Sequence, residues 1–139
     1  MVTSASAYGI TGFGGYVPRL RMERSAIAAA HKWMAPALRS QAKGRRAFCS
    51  WDEDSVTMAV EAARDALLAH QVAMIDRLSF ASTTMPFAGL QNAAIIAGAL
   101  GLRQDIGTLD IGQSQRAGTS ALMAAFRDTS GPALVVASD

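Results

Sequence analysis

The sequence has a single cysteine, Cys49, in 139 residues, which excludes an internal disulfide framework and points to a reducing compartment. Its two histidines, His31 and His70, each stand alone in a helical stretch. With no second ligand at metal-binding spacing, no zinc site is expected, and both read as surface or helix-end residues. Aromatic residues are scarce at 6%, and no apolar run reaches the roughly 18 residues of a membrane-spanning helix. The opening residues lack the basic start and long apolar stretch of a secretory signal, so the expected location is cytoplasmic, without a membrane partner. Charged residues make up 17% and the net charge is +2, too small a balance to signal nucleic-acid binding.

What is present is apolar and small. Hydrophobic residues reach 50%, with 12 glycines and 7 methionines, which suits helices packed closely on a sheet and argues against disorder. The length gives room for one domain of ordinary size.

Along the chain, AYGITGFGGYVP (Ala7–Pro18) reads as a first strand whose glycines allow close backbone approach. MERSAIAAAHKWM (Met22–Met34) has helical spacing, broken by Pro36. The basic stretch Arg39–Ser50, interrupted by Gly44, reads as a loop. Trp51–Gln71 carries the strongest helical signal, because Val56, Val60, Ala63 and Leu67 fall on one face. Asp52, Glu53 and Asp54 stand at its start, where carboxylates satisfy free N–H groups and meet the positive end of the dipole. Ile75–Thr83 reads as a strand, Leu90–Leu102 as a helix, Ile106–Gly112 as a strand and Arg116–Thr129 as a helix. The last segment, Pro132–Asp139, is apolar throughout and is expected to be a central strand buried on both faces. The order β-α-α-β-α-β-α-β implies right-handed crossovers and a mostly parallel sheet with helices on both faces. Ending on such a strand leads us to expect further polypeptide, or another chain, to complete the core.

Two glycine patterns fail as motifs. GFGGYV (Gly12–Val17) places Val17 where a dinucleotide-binding loop needs its third glycine. GQSQR (Gly112–Arg116) resembles a serine nucleophile elbow, but Arg116 occupies the second glycine position. The cluster Lys32, Arg39, Lys43, Arg45 and Arg46 has the chemistry to meet phosphates of a nucleotide-like cofactor or of RNA, although a solvated basic face explains it as well. Cys49 precedes a helix start, where a thiol can acidify, but the three carboxylates nearby oppose a thiolate.

Several segments taken together resemble one family. GITGFGGYVPRLRM, DEDSVTMAVEAARDAL, STTMPFAGLQNAAIIAGALGL, DIGQSQRAGTSAL and ALVVASD are similar, in order and spacing, to the N-terminal half of bacterial and archaeal 3-hydroxy-3-methylglutaryl-CoA (HMG-CoA) synthase-like proteins. These are members of the thiolase superfamily of acyl-CoA condensing enzymes. The resemblance covers nearly all of the chain, and its DEDSVTMAVEAA and RAGTSAL stretches are the most specific.

The resemblance implies an α/β fold, the N-terminal half of an α-β-α-β-α layered, usually dimeric architecture. Residues 1–139 would form that half, with the C-terminal half supplied from outside this chain or by a partner chain. It implies a coenzyme A thioester as substrate or ligand, with no covalently bound cofactor. It also implies a cysteine that takes the acetyl group in the turn before RAGT, aided by the helix dipole. That position is Gln115 here, and an amide is not a nucleophile. The family's acid/base glutamate falls on Thr83, which cannot exchange protons near neutral pH. Ser114, Arg116, Gly118 and Thr119 would shape the substrate site, and Lys43, Arg45 and Arg46 are the candidates for the CoA phosphates. Ordinary synthase chemistry is therefore not expected. The open alternatives are a non-catalytic acyl-CoA-binding or scaffolding subunit and a decarboxylase of malonyl-type thioesters. The second follows because glutamine replaces the nucleophile in some superfamily members that decarboxylate without acyl transfer.

Overall fold

The structure, a computed structural model, describes residues 9–67 and 72–139; Ala7, His70 and Gln71, named above, lie outside them. The chain divides into two compact units, Val17–Glu53 and the remainder.

The unit Val17–Glu53 is a small hairpin with a helical insert. β1 (Leu20–Glu23) pairs antiparallel with β2 (Arg45–Phe48), with Leu20 opposite Phe48 and Glu23 opposite Arg45. Between them lie α1 (Arg24–Ala30) and a 3-10 turn, Pro36–Gln41. Two expectations are corrected here. The helix predicted from Met22 loses Met22 and Glu23 to β1, and the loop predicted over Arg39–Ser50 contains the strand Arg45–Phe48. The cause is pairing between segments distant in sequence. Gly44, at φ +77, makes a turn open to glycine, and its carbonyl accepts the Arg24 N–H at 2.9 Å. Pro36 opens the 3-10 turn, where a missing N–H costs nothing.

The larger unit is built on a parallel sheet in the order β4-β3-β5. β3 (Arg77–Ala81) is central, β4 (Gly107–Ile111) lies on one side and β5 (Ala133–Ala137) on the other. Successive strand residues face opposite ways, and the two faces are filled differently. Leu78, Phe80, Leu134 and Val136 meet Val56, Val60 and Ala63 of α2 (Ser55–Ala66), and Ala93 and Ile96 of α3 (Asn92–Ala99). On the other face, Ala81, with Ile111 and Val135 beside it, packs on Ala117 and Ala121 of α4 (Ala117–Arg127). Small residues on that face bring α4 close: a Cβ on Gly118 would lie 3.2 Å from that of Ala137. Burying Leu78, Phe80, Leu134 and Ile96 contributes about 1.5–3 kcal/mol each.

Two further expectations change. The helix predicted from Trp51 begins at Ser55, because Asp54 and Thr57 form a capping box with two bonds of 2.7 Å. Of the three acidic residues at that start, Asp54 alone caps α2; the Glu53 carboxylate instead accepts the Ser50 N–H. Among the described residues, β5 pairs on one side only, with β3. Leu134 and Val136 are buried, but Ala133 and Ala137 are exposed, and no strand covers the outer edge of β5 among the described residues. Helices meet both of its faces, α2 and α3 at Leu134 and Val136 and α4 at Val135. Finally, residues 9–18 contain no strand. Residues 12–15 run instead beside the end of α2, where the Gly15 N–H donates to the Asp65 carboxylate at 2.9 Å. The close approach expected of the glycines is real at Gly14, where a Cβ would fall 2.3 Å from the Ala66 nitrogen.

Candidate functional site

Parallel strands in one register end at one level, and in open α/β sheets the loops leaving those ends build the site. Here Ala81 pairs with Ile111 on one side and Ala137 on the other. Two bonds of 3.1 Å extend the register one step further, from the Ser82 N–H to the Ile111 carbonyl and from the Ser138 N–H to the Ala81 carbonyl. Residues 82–84, 112–116 and 138–139 therefore leave the sheet side by side. The structure thus brings Thr83 and the turn carrying Ser114, Gln115 and Arg116 to the same end of the sheet.

The turn after β4 is tightly wound. Gln113 adopts φ 63, a left-handed conformation uncommon for a residue with a side chain. The Ser114 hydroxyl accepts the Arg116 N–H at 3.1 Å, and its carbonyl accepts the Ala117 N–H at 2.9 Å. These bonds set Gln115 exposed at the tip, directly ahead of α4. Arg116, at the N-cap, makes no side-chain capping bond, so the positive end of α4 is not neutralised by a side chain. Thr119 is exposed on the first turn of α4, whereas Gly118 is turned to the sheet and seats the helix on β5.

The loop after β3 is organised by a residue that sequence reasoning missed. Asp139 Oδ1 accepts the Thr83 N–H and three hydroxyls: Thr83 at 2.9 Å, Ser82 at 3.1 Å and Thr84 at 3.3 Å. Burial raises the Asp139 pKa, but the Thr83 N–H and the hydroxyls of Thr83, Ser82 and Thr84 outweigh it and hold the carboxyl below its usual value. The loop is also anchored from α2, where the Ser55 hydroxyl donates to the Thr84 carbonyl at 2.9 Å. A lone acidic residue after an apolar strand carries no sequence motif. Its position at the carboxyl end of a parallel strand is the signal that marks it.

The remaining candidates lie in the unit Val17–Glu53. Arg45 is held by Glu23 in an exposed ion pair of 2.6 Å, while Lys43 and Arg46 are exposed beside it in sequence. His31 caps the end of α1 through its backbone N–H, and Cys49 is exposed. Among the described residues no three His, Cys, Asp or Glu side chains gather in a group able to hold a metal, and no helix is long and apolar enough to cross a membrane. In the larger unit a cavity of about 470 Å³ runs along the outer edge of β5, lined by residues 9–14, Ala66, Leu122 and Phe126. It is an apolar groove at the sheet edge and includes neither Thr83 nor Gln115 nor Asp139.

No family model matches the chain. Curated relatives do. A hydroxymethylglutaryl-CoA synthase of Aeropyrum pernix is 36% identical over 99% of this chain and 40% of its own length. A hydroxymethylglutaryl-CoA synthase of Thermococcus onnurineus is 34% identical over 85% of this chain and 33% of its own. Among solved structures, an HMG-CoA synthase complexed with CoA superposes with a TM-score of 0.78 at 21% identity, over 94% of this chain and 35% of that one. The chain thus spans between a third and two fifths of the length of the curated relatives it matches. It is an HMG-CoA synthase-like chain of the thiolase superfamily, homologous to those synthases along most of its own length and carrying part of their fold.

Proposed function

We propose that this chain binds an acyl-CoA thioester at the carboxyl ends of β3, β4 and β5 and does not transfer the acyl group through a covalent intermediate. The observation that carries the reading is Gln115 at the tip of the turn ahead of α4, level with the loop of Thr83. The Gln115 amide can donate to a thioester carbonyl or accept from a neighbour, but it cannot attack a carbonyl carbon. The uncapped start of α4 supplies a positive field for the same oxygen. Thr83 supplies a hydroxyl already bonded to Asp139, not a proton acid or base. Nothing in this arrangement performs the two proton transfers and the acyl exchange of a condensation.

The homology to HMG-CoA synthases, one of them solved with CoA, supports coenzyme A thioesters as the ligand class. The chain corresponds in this reading to the N-terminal half of a thiolase-like fold, completed by further polypeptide or by a partner chain. The exposed apolar residues Leu122, Met123 and Phe126 of α4 favour such a completion.

The test is thermal unfolding of the intact protein with acetyl-CoA, malonyl-CoA or free CoA. A ligand at about 100 times its Kd adds about 2.7 kcal/mol, so a rise of several degrees is expected. Gln115→Trp, which fills the turn without touching the core, should abolish the rise for the thioesters. A melting temperature indifferent to all three compounds would sink the reading.

A further inference from the structure

Resting on that reading, we infer that Asp139 is a specificity-determining positioning residue. By holding the Thr83 hydroxyl proton, it turns Thr83 into a hydrogen-bond acceptor toward the ligand and selects acyl groups that bring a donor.

The argument is one of hydrogen-bond polarity. A threonine hydroxyl has one proton and two lone pairs, and its rotor normally lets it serve either partner. At this loop the choice is made in advance. The Thr83 hydroxyl donates to Asp139 Oδ1 at 2.9 Å, and its own N–H donates to the same oxygen. Ser82 and Thr84 direct their protons the same way, at 3.1 and 3.3 Å. The Ser82 oxygen then accepts the Thr84 N–H at 3.0 Å, which fixes the loop against rotation. A carboxylate cannot donate, so none of these protons can be returned by Asp139. Ser82 is buried at 2% exposure, while Thr83 is exposed, so Thr83 is the member that a ligand can reach. What it offers outward is a lone pair.

An acyl group with a hydroxyl near this point finds a partner. An acyl group with a ketone there brings a second acceptor, and one with a carboxylate brings an acceptor and a charge of the same sign as Asp139. The site therefore favours hydroxyacyl thioesters over keto- and carboxyacyl thioesters of equal length. This ordering also works against the decarboxylation of malonyl-type groups. Lone-pair repulsion and an unmade bond set the size of the preference at about fivefold, the worth of one ordinary hydrogen bond.

The experiment compares 3-hydroxybutyryl-CoA with acetoacetyl-CoA, two thioesters of equal length whose uncharged acyl groups differ only at C3, hydroxyl against ketone. Their dissociation constants are measured by calorimetry on the intact protein. The native protein should bind the hydroxy compound about fivefold more tightly. Asp139→Ala frees the Thr83 proton and should bring the two within about twofold, as should Thr83→Val, which removes the hydroxyl. The ratio is the readout, since a loss of structure alone would weaken both ligands together. If Asp139→Ala does not fold, Thr83→Val decides. Equal binding by the native protein, or a preference that survives Thr83→Val, overturns the inference while leaving thioester binding intact. Failure of both thioesters and of free CoA to bind overturns the underlying reading, and this one with it.

Discussion

The Asp110 carboxylate, on β4, accepts the Asn92 backbone N–H at 2.7 Å and the Asn92 side-chain amide at 3.0 Å. The Ala93 N–H reaches its other oxygen, also at 2.7 Å. A strand residue thereby caps α3, whose own N-cap, Gln91, makes no side-chain capping bond because its carboxamide is engaged with Thr108 of β4. Asn92 is 1% exposed, and its carboxamide also binds the backbone of Phe87, so the loop between β3 and α3 hangs on the same pair.

Asp110→Ala should therefore cost more than an ordinary cap. A lost N-cap costs about 1 kcal/mol, and a buried amide left short of a partner adds about 1–3 kcal/mol. We expect about 2–3 kcal/mol in urea unfolding, with Asp110→Asn losing less because one acceptor remains. A loss below about 0.5 kcal/mol for the alanine variant would show that the cap contributes nothing.

Gly14 and Gly15 make a matched pair for the approach of the N-terminal segment to α2. A Cβ at Gly14 would lie 2.3 Å from the Ala66 nitrogen and 2.7 Å from the Asp65 carbonyl carbon, both backbone atoms that cannot swing away. A Cβ at Gly15 would meet nothing within 4 Å. Gly14→Ala should destabilise by about 1–3 kcal/mol, as overpacking does, while Gly15→Ala should stay within about 0.5 kcal/mol. Equal melting temperatures for the two variants would refute this packing.

What could be foreseen from sequence divides along the same physical line. The α2 face of Val56, Val60 and Ala63 was visible because helical periodicity is local, and the alternation of helices and strands gave the parallel sheet. The β1–β2 hairpin was not visible, since Leu20 and Phe48 meet only after an intervening helix and Gly44 have turned the chain. Gln115 and Thr83 could be singled out through resemblance alone. Asp139 could not, because its role exists only once three strand ends share one level.

Acid should erase the stabilising effect of Asp139. Its pKa is lowered in the folded protein from 3.8, by the Thr83 N–H and the three hydroxyls against the opposing effect of burial. A depressed carboxyl contributes stability that is present above the unfolded pKa and lost as pH falls through the folded one. The native protein should thus exceed Asp139→Ala in stability by a constant margin from neutral pH down to about pH 5. The margin should then narrow as pH falls from 3.8 through the lower folded value. Unfolding of both proteins in urea at several pH values gives the margin directly. A margin that widens on acidification would mean that the carboxyl is held in its protonated form.

The assignment of Gln115 to the nucleophile position makes a prediction that no packing argument makes. Gln115→Cys puts a thiol at the tip of the turn ahead of the uncapped start of α4, where a positive field favours the thiolate. The variant of the intact protein should attack the carbonyl carbon of acetyl-CoA, releasing free CoA and leaving an acetyl thioester on the cysteine. Mass spectrometry then finds one added acetyl group that hydroxylamine removes. Cys49, exposed in the other unit, is the internal control: the native protein carries it and should remain unacetylated. Condensation with a second thioester should not follow, because Thr83 still supplies no proton acid or base; it requires Thr83→Glu in addition. If Gln115→Cys is acetylated no faster than Cys49 in a protein that still binds CoA, Gln115 does not occupy the nucleophile position.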